Sequence, residues 1–370
     1  MNLLIHDLDK TEWEKVAADY EGWKIIADNG EIKPCVGCFG CWLRTPGECA
    51  IKDGYDQMGK SIHEADEVVI MSKYTYGGFS SFVKNVMDRS IGYILPYFRM
   101  YKGEMHHKPR YKESKPISVI FRGNGLTDGD KEKARQYVEA VITNLNAKVK
   151  EIRFVECEEL ATNKSVSDSS LEVVKGKTVL VNCSMRGDNA NSKTFLDILA
   201  SKLEGETESI NLSEYIKKYD ELVSVLKTAE KLVFVMPLYV DGVPSAALKL
   251  MEMLEKEHMS GEQKVYTLAN MGFYESRQIR NLLSMVKEWC LKSGAQYNGG
   301  LAIGAGAMMG SVIRFGSNGP AKHVFDNIEM IGNAINKNEA VEDIYADAYK
   351  FPRFLYLISS NSRMKKAANR

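Results

Sequence analysis

Short apolar runs of strand length recur along the chain, and most are followed by a stretch in which apolar residues have helical spacing. In the first half they predict strands near Asn2–His6, Lys24–Ala27, Glu67–Ser72, Ile117–Phe121 and Lys150–Phe154. In the second half they predict strands near Thr178–Asn182, Glu208–Asn211, Lys231–Met236, Lys264–Ala269 and Leu301–Gly304. Strands that alternate with helices form parallel sheets covered on both faces. The chain is therefore predicted to be an α/β protein with two doubly wound parallel sheets.

Two segments of the chain resemble each other without gaps. EVVIMSKYTYGGFSSFVKNVM from Glu67 aligns with LVFVMPLYVDGVPSAALKLME from Leu232 at a shift of 165 residues, which places Met71 on Met236. Each copy reads as a strand, a Tyr/Gly loop and a helix start, which is half of a βαβ unit. We interpret the chain as a tandem of two similar domains.

The domain boundaries are predicted from periodicity and composition. Periodicity fades around Cys157–Lys175, where Ser, Asp, Glu and Asn accumulate, so the linker is placed there. The first domain is predicted to cover residues 1–160 and the second residues 174–319. Residues 320–370 are predicted to form a helical C-terminal extension that packs over a domain edge.

Composition supports two domains and excludes several classes of function. The chain has 370 residues, of which 44% are hydrophobic, and one domain usually has ~100–200 residues. Its 49 basic and 49 acidic side chains cancel, so no long-range field attracts nucleic acid or an anionic membrane. The first residues lack the pattern of a signal peptide, and no apolar run approaches the ~20 residues of a membrane span. We expect a cytoplasmic protein that acts on a small molecule or another protein.

A candidate phosphate-binding loop follows the first strand of the second half. It runs from Ser184 to Thr194 as SMRGDNANSKT and leads directly into the helical FLDILASKL. Such a strand, loop and helix start aim backbone N–H groups, hydroxyls and the positive end of the helix at one point. A terminal phosphate fits there, and a simple helix cap is the alternative. Neither a Walker loop nor GxGxxG is present, which disfavours ATP and a Rossmann-bound dinucleotide.

A second loop, with the sequence PLYVDGVPS, follows the third strand of the same half and begins at Pro237. Both loops leave the carboxyl edge of one predicted sheet, where open α/β sheets bind their ligands. We therefore expect the two loops to converge on one crevice.

These loops resemble those of the flavodoxin-like NAD(P)H-dependent FMN reductase family, and the resemblance covers nearly the whole second half. It implies an FMN whose phosphate is held by Ser184, Arg186, Asn191 and Ser192. It also implies contacts with the isoalloxazine ring from Pro237, Leu238, Tyr239 and Gly242, and a third loop that contains Asn270 and Gly272. Because the flavin itself carries the chemistry, no acid–base residue is assigned, and Tyr239 is the expected ring contact.

The first half departs from this pattern at its opening strand. Asp7, Asp9 and Glu12 stand where the phosphate loop would be, and their negative charge would repel a phosphate. We therefore predict one FMN per chain, bound by the second half. Members of this family work as dimers, so the resemblance implies that the two halves act as an internal pseudo-dimer.

Four cysteines lie within fifteen residues of one another: Cys35, Cys38, Cys41 and Cys49. Two-residue gaps followed by a short loop can place four thiolates around one compact centre. The spacing is similar to the motif of iron–sulfur flavoproteins, which carry a [4Fe–4S] cluster beside FMN. Tetrahedral zinc, and metal-free thiols or a disulfide, remain the alternatives.

A final segment belongs only to the first half. Ile91–Ser114 brings several aromatic residues together with His106 and His107 ahead of the next strand. It would either cover a flavin and receive a nicotinamide or quinone ring, or form a hydrophobic seam between the domains.

Together these features predict a flavin-dependent oxidoreductase. The first hypothesis is NAD(P)H-dependent reduction of a quinone, nitroaromatic or similar small acceptor. The second is an electron-transfer module that accepts electrons from ferredoxin through the cysteine centre. The third is a fold without catalysis that is stabilised by zinc.

Overall fold

Two parallel β-sheets organise this computed structural model, which describes residues 1–157, 172–347 and 351–369. The first half contains strands β1 (Leu3–His6), β2 (Lys24–Ile26), β3 (Val68–Lys73), β4 (Ile94–Tyr101), β5 (Glu104–Pro109), β6 (Pro116–Arg122) and β7 (Lys148–Val155). The second half contains β8 (Val174–Asn182), β9 (Thr207–Asn211), β10 (Ala229–Pro237), β11 (Lys264–Asn270), β12 (Gln296–Ile303) and β13 (Ile344–Ala346).

Helices connect these strands and cover the sheets. Those of the first half are α1 (Lys10–Val16), α2 (Gly40–Leu43), α3 (Met58–Glu64), α4 (Ser81–Arg89) and α5 (Asp128–Asn144). Those of the second half are α6 (Asn191–Ala200), α7 (Tyr219–Lys227), α8 (Ser245–Lys256), α9 (Arg280–Ser293), α10 (Met309–Val312), α11 (Lys322–Lys337) and α12 (Arg353–Ala368). None of the helices in the described ranges is long and apolar enough to cross a bilayer.

The strand order confirms the predicted fold class. The first sheet has the order β2-β1-β3-β6-β7, and the second has the order β13-β12-β11-β10-β8-β9. All pairs within these two sheets are parallel. When the β4–β5 hairpin is set aside, each half follows the flavodoxin order 2-1-3-4-5, and β13 extends the second sheet. All ten strands predicted from the sequence are present.

The structure corrects the register of the internal repeat. Thr75 pairs with Gly78 across a tight turn, and Tyr239 pairs with Gly242 across the equivalent turn of the second half. The two copies therefore superpose with a shift of 164 residues, and the predicted shift of 165 is wrong by one.

Burial supports the corrected register. Met71 lies in a small cluster with Leu4 on the outer face of the first sheet, whereas Met236 lies in the large core that both halves share. Because side chains alternate between the faces of a sheet, a slip of one residue would exchange inner and outer positions. Met71 and Met236 are therefore not equivalent.

The segment after residue 319 is part of the second domain rather than only a helical cover. Its strand β13 pairs in parallel with β12, and apolar residues of α11 such as Ile328 and Ile331 enter the core on that side. β13, a strand of three residues, was not predicted from the sequence. The predicted linker falls largely on residues 158–171, which lie outside the described ranges.

The two halves pack against each other through α4 and α8, and the contacts are reciprocal. Asp88 of α4 accepts a hydrogen bond from the backbone N–H of Ser245 at 3.0 Å. Glu252 of α8 accepts one from the backbone N–H of Ser81 at 3.3 Å. Each helix thus places an acidic side chain at the N-terminus of the other, where the helix dipole favours negative charge. This arrangement resembles an isologous dimer interface within one chain.

Candidate functional site

Three loops of the second half meet at the carboxyl edge of its sheet, and the sequence predicts this convergence for the first two of them. They follow β8, β10 and β11, which are neighbours in the sheet. The Asn270 side-chain amide donates to Ser192 Oγ at 2.8 Å, and the Leu238 N–H donates to the Asn270 carbonyl at 2.8 Å. Asn270 therefore ties the candidate phosphate loop to the candidate flavin loop.

The phosphate loop leads into the N-terminus of α6, which has no side-chain cap among the described residues. Ala190 precedes α6, and no side chain caps the helix in the described structure, so its first N–H groups lack a side-chain acceptor. Ser184 and Ser192 are buried in this loop, and their neighbours Arg186 and Asn191 are exposed. Open N–H groups, two hydroxyls and a guanidinium form a donor set that fits a phosphate.

Tyr239 lies between the two halves of the protein. Its hydroxyl interacts with the Ser184 side chain, and burial raises the pKa of this hydroxyl. A Cβ atom on Gly37 would overlap the same hydroxyl, and it would lie 3.7 Å from Arg186 Cδ. Since Gly37 has a φ of +60°, glycine is favoured there by both backbone conformation and space. The cysteine segment of the first half therefore lies directly against the phosphate and flavin loops of the second.

The equivalent crevice of the first half is closed by ion pairs. Asp9 caps α1 by accepting a hydrogen bond from the backbone N–H of Glu12, and the Glu12 side chain accepts one from the backbone N–H of Asp9, so two acidic side chains already occupy that helix start. Arg122 pairs with Asp7 at 2.9 Å and also with Glu12. Arg122 thus partly offsets the predicted repulsion of phosphate by the three carboxylates. A phosphate is excluded instead because side chains fill the crevice and cap the helix.

Loop length explains why only one half keeps an open site. Asp7 and Cys183 occupy equivalent positions, because the N–H of each donates to the neighbouring strand, at Met71 and Val235 respectively. From Asp7 to the residue that caps α1 the chain advances two positions, whereas from Cys183 to Ala190 it advances seven. The first half therefore has no room for a loop that wraps around a phosphate.

The four clustered cysteines line one cavity, together with Asp88 and Arg89 of α4. Cys38 is exposed and Cys41 is buried, while Cys35 and Cys49 are half-buried. Backbone N–H of Gly40 donates to Cys38 Sγ at 3.4 Å. Burial raises the pKa of Cys41 to about 12 and also raises the pKa of Cys35, with smaller contributions from neighbouring cysteines.

The four sulfurs that line this cavity are a donor set that zinc centres and iron–sulfur clusters both use. All seven cysteines are free thiols. Within the described ranges, no three His, Cys, Asp or Glu side chains are placed to share one metal ion.

The aromatic segment forms a hairpin of β4 and β5 that packs between the two halves. Phe98 lies 5.4 Å from Phe273, measured between ring centroids, and His107 lies 5.1 Å from the same ring. A Cβ atom on Gly272 would lie 3.7 Å from Phe98. The hairpin is therefore an inter-domain seam that ends at the third loop, and burial lowers the pKa of His107 to about 4. Its predicted role as a flavin cover remains a prediction.

A buried polar chain links this seam to the flavin loop. Asn144 donates to both carboxylate oxygens of Asp241, at 2.7 and 2.8 Å, and its own oxygen contacts His106 Nδ1 at 2.7 Å. Burial raises the pKa of Asp241 to about 6, although Asn144, His106, Lys84 and Arg280 each lower it. Asp241 also has a φ of +58°, which asparagine tolerates well.

The variant Asp241→Asn is expected to be more stable than the wild-type protein at pH 7 by roughly 1–3 kcal/mol. The folded protein binds a proton at Asp241 more tightly than the unfolded chain, so this group makes stability fall as pH rises from 3.8 to about 6. Urea unfolding at pH 4 and pH 7 measures the effect. The advantage of the variant should be present at pH 7 and nearly absent at pH 4, and equal stability at pH 7 would contradict the assignment.

Two residues of the site were missed in the sequence analysis. Gly37 has a local signal, since it lies within the first two-residue gap between cysteines, but its contact with Tyr239 depends on the packing of the halves. Arg89 has no local signal, because it is forty residues from Cys49, to which it donates a hydrogen bond.

Comparison with known proteins gives partial matches. No protein-family model matches the chain. An iron–sulfur flavoprotein of Methanocaldococcus jannaschii is 40% identical over 65 residues, which are 18% of this chain and 32% of that protein. An iron–sulfur flavoprotein of Archaeoglobus fulgidus is 28% identical over 119 residues, which are 32% of this chain and 48% of that protein. The matches therefore span less than half the length of these relatives.

The matches to solved structures are weak in both structure and sequence. The Trp repressor binding protein of Bacillus subtilis is 12% identical, with a TM-score of 0.29, and the match covers 34% of this chain and 83% of that one. An azoreductase of Bacillus anthracis is 12% identical, with a TM-score of 0.32, and the match covers 44% of this chain and 99% of that one. The sequence relatives and the strand order of both sheets agree with the predicted resemblance to the flavodoxin-like superfamily.

Proposed function

We propose that this flavodoxin-like chain, a relative of iron–sulfur flavoproteins, is an FMN-dependent oxidoreductase with one flavin site per chain. The observation that carries the proposal is the contrast between the two helix starts at equivalent positions. In the second half α6 is open toward a loop rich in donors, whereas in the first half α1 is capped and its crevice is filled by Arg122.

In this proposal the residues of the second half bind and orient FMN. Ser184, Arg186, Asn191 and Ser192 hold the phosphate, while the loop from Pro237 to Gly242 and the loop with Asn270 and Gly272 flank the ring. When bound, FMN supplies hydride and single-electron chemistry. Tyr239 positions the flavin loop against the phosphate loop through Ser184, and Phe98 of the hairpin lies beside Gly272.

The cysteine segment, residues 35–49, is proposed to hold a [4Fe–4S] cluster rather than zinc. The two-residue gaps from Cys35 to Cys41 and the short loop to Cys49 suit the compact geometry of such a cluster, and the matched relatives are iron–sulfur flavoproteins. Contact between Gly37 and Tyr239 brings this segment to the flavin loop. The first half thus contributes the cysteine centre, and the second half contributes the flavin site.

The substrate proposal is reduction of a quinone, nitroaromatic or similar small acceptor with NADH or NADPH as the reductant. Anaerobic purification followed by iron, sulfide and flavin assays tests the cofactors, and one FMN per chain is expected. Steady-state turnover with each nucleotide and a panel of acceptors tests the reaction. Bound FMN that stays oxidised with both nucleotides would contradict the NAD(P)H assignment, and a colourless chain that takes up no FMN would contradict the proposal as a whole.

A second candidate function is electron transfer from a ferredoxin to the flavin. The exposure of Cys38 favours it, because one edge of the cysteine centre reaches the surface, where a protein donor can approach. Rapid reduction of the flavin by reduced ferredoxin would support this function over the first. The rapid phase should be lost in Cys38→Ala, while the affinity of the protein for FMN stays unchanged. Equal rates in both proteins would count against it.

A further inference from the structure

Arg89, at the end of α4, uses every N–H donor of its guanidinium in a fully buried position. Its side chain is 0% exposed, and its two terminal nitrogens donate to Asp53 at 2.9 and 2.8 Å. The same nitrogens donate to the carbonyls of Lys33 at 2.8 Å and Ile51 at 3.0 Å. The fifth donor, Nε–H, points to Cys49 Sγ at 3.0 Å.

These contacts surround the last cysteine of the cluster with fixed groups. Lys33 precedes Cys35 by two residues, and Ile51 and Asp53 follow Cys49 closely, so one side chain joins both ends of the cysteine segment. Asp53 is 5% exposed and supplies the counter-charge that burial of a guanidinium requires. The planar fork of arginine makes all five bonds possible, and lysine cannot reproduce them.

The choice of a sulfur as the fifth acceptor has a chemical reason. A neutral thiol is a weak acceptor, whereas a thiolate that binds a metal is a good one. Hydrogen bonds to cysteine sulfurs are among the factors that set the reduction potential of an iron–sulfur cluster. Reduction adds negative charge, so a nearby cation with an N–H donor stabilises the reduced form.

We propose that Arg89 is a positioning residue for the cysteine centre, which holds Cys49 in place and raises the reduction potential of the metal bound there. The part that concerns potential rests on the proposed function, because it requires a bound cluster. The part that concerns position rests on the contacts alone.

Arg89→Lys in the full-length chain tests both parts, with Arg122→Lys as the matched control. Arg122 is also a buried arginine of the first half that pairs with two carboxylates, but its partners are Asp7 and Glu12 and not a cysteine. Circular dichroism establishes that each variant is folded. ¹⁵N labelling of arginine in the wild-type protein provides a readout that needs no variant.

The first readout is the rate at which Cys49 is alkylated in the metal-free protein. Alkylation followed by mass spectrometry should show that Cys49 reacts roughly fivefold faster in Arg89→Lys, because the loss of hydrogen bonds makes local opening easier. Cys38, which is already exposed, serves as the internal reference. An unchanged ratio of Cys49 to Cys38 in a folded variant would overturn the positioning role.

The second readout is redox titration of the anaerobically purified protein. Arg89→Lys should lower the midpoint potential of the cluster or lose iron from a folded chain, while Arg122→Lys changes neither. Reduced wild-type protein with ¹⁵N-labelled arginine should show hyperfine coupling of ¹⁵N to the cluster. Wild-type iron content with an unchanged potential, or no ¹⁵N coupling, would overturn the tuning role. If the wild-type protein contains no iron, the proposed cluster and the tuning role are wrong, and alkylation still decides the positioning role.

Discussion

Ser192→Asp is expected to lower the affinity of the protein for FMN by about 100-fold or more, since it places a carboxylate where the phosphate would bind. Ser192 is the second residue of α6, is 1% exposed and interacts with Asn270, so its side chain lies within the candidate site. The new charge is compatible with the helix itself, because acidic residues in the first turn interact favourably with the dipole. Quenching of flavin fluorescence on titration measures the affinity.

The two halves offer a matched control for this variant. Thr11 is the second residue of α1, which makes it the counterpart of Ser192 in the first half. Thr11→Asp makes a comparable change in a helix start that is already capped, so FMN affinity should stay at the wild-type value. Equal loss of affinity in both variants would show that the effect is not specific to the second half. Unchanged affinity in Ser192→Asp, with a normal melting curve, would place the phosphate elsewhere.

Cys38→Ser is expected to remove nearly all iron and sulfide from the anaerobically purified protein while leaving one FMN per chain. A serine hydroxyl is a poor ligand for iron compared with a thiolate, and an incomplete ligand set no longer holds the cluster. Because Cys38 is exposed, the substitution leaves the hydrophobic core unchanged. Iron and sulfide assays and the visible absorption spectrum are the measurements.

Cys157→Ser is the control for this experiment. Cys157 is a free, half-buried thiol that does not line the cavity of the four clustered cysteines. It should keep wild-type iron, sulfide and flavin. Stoichiometric zinc in the wild-type protein would favour the structural-zinc alternative, and a wild-type protein without any metal would show that the thiols serve another purpose.

The two halves share a sheet topology and a packing mode but differ in the loops at their carboxyl edges. In both halves the third and fourth strands of the flavodoxin order end in loops at the same sheet edge, and α4 and α8 pack reciprocally. Only the second half keeps the long loop that leads to an open helix start. The first half instead contributes Gly37 and the hairpin, which contact the loops of its partner half.

Local sequence by itself determined ten of the thirteen strands in the described ranges and most of the candidate chemistry. Ten strands, the position of the phosphate loop and the compact cysteine spacing are all visible in short windows, because strand periodicity and loop composition act over a few residues. The same holds for the loops that begin at Ser184 and Pro237, whose positions after strands of one sheet predict that they meet at one edge, whereas Asn270 was predicted from the family resemblance.

Only the tertiary structure determined the register of the repeat and which of these residues contact one another. The repeat register depended on strand pairing, since an ungapped alignment cannot detect a slip of one residue that exchanges the faces of a sheet. The pairing of Arg122 with Asp7, the bond from Arg89 to Cys49 and the contact of Gly37 with Tyr239 link residues far apart in the chain. Such contacts arise from the packing of whole elements, and no local pattern encodes them.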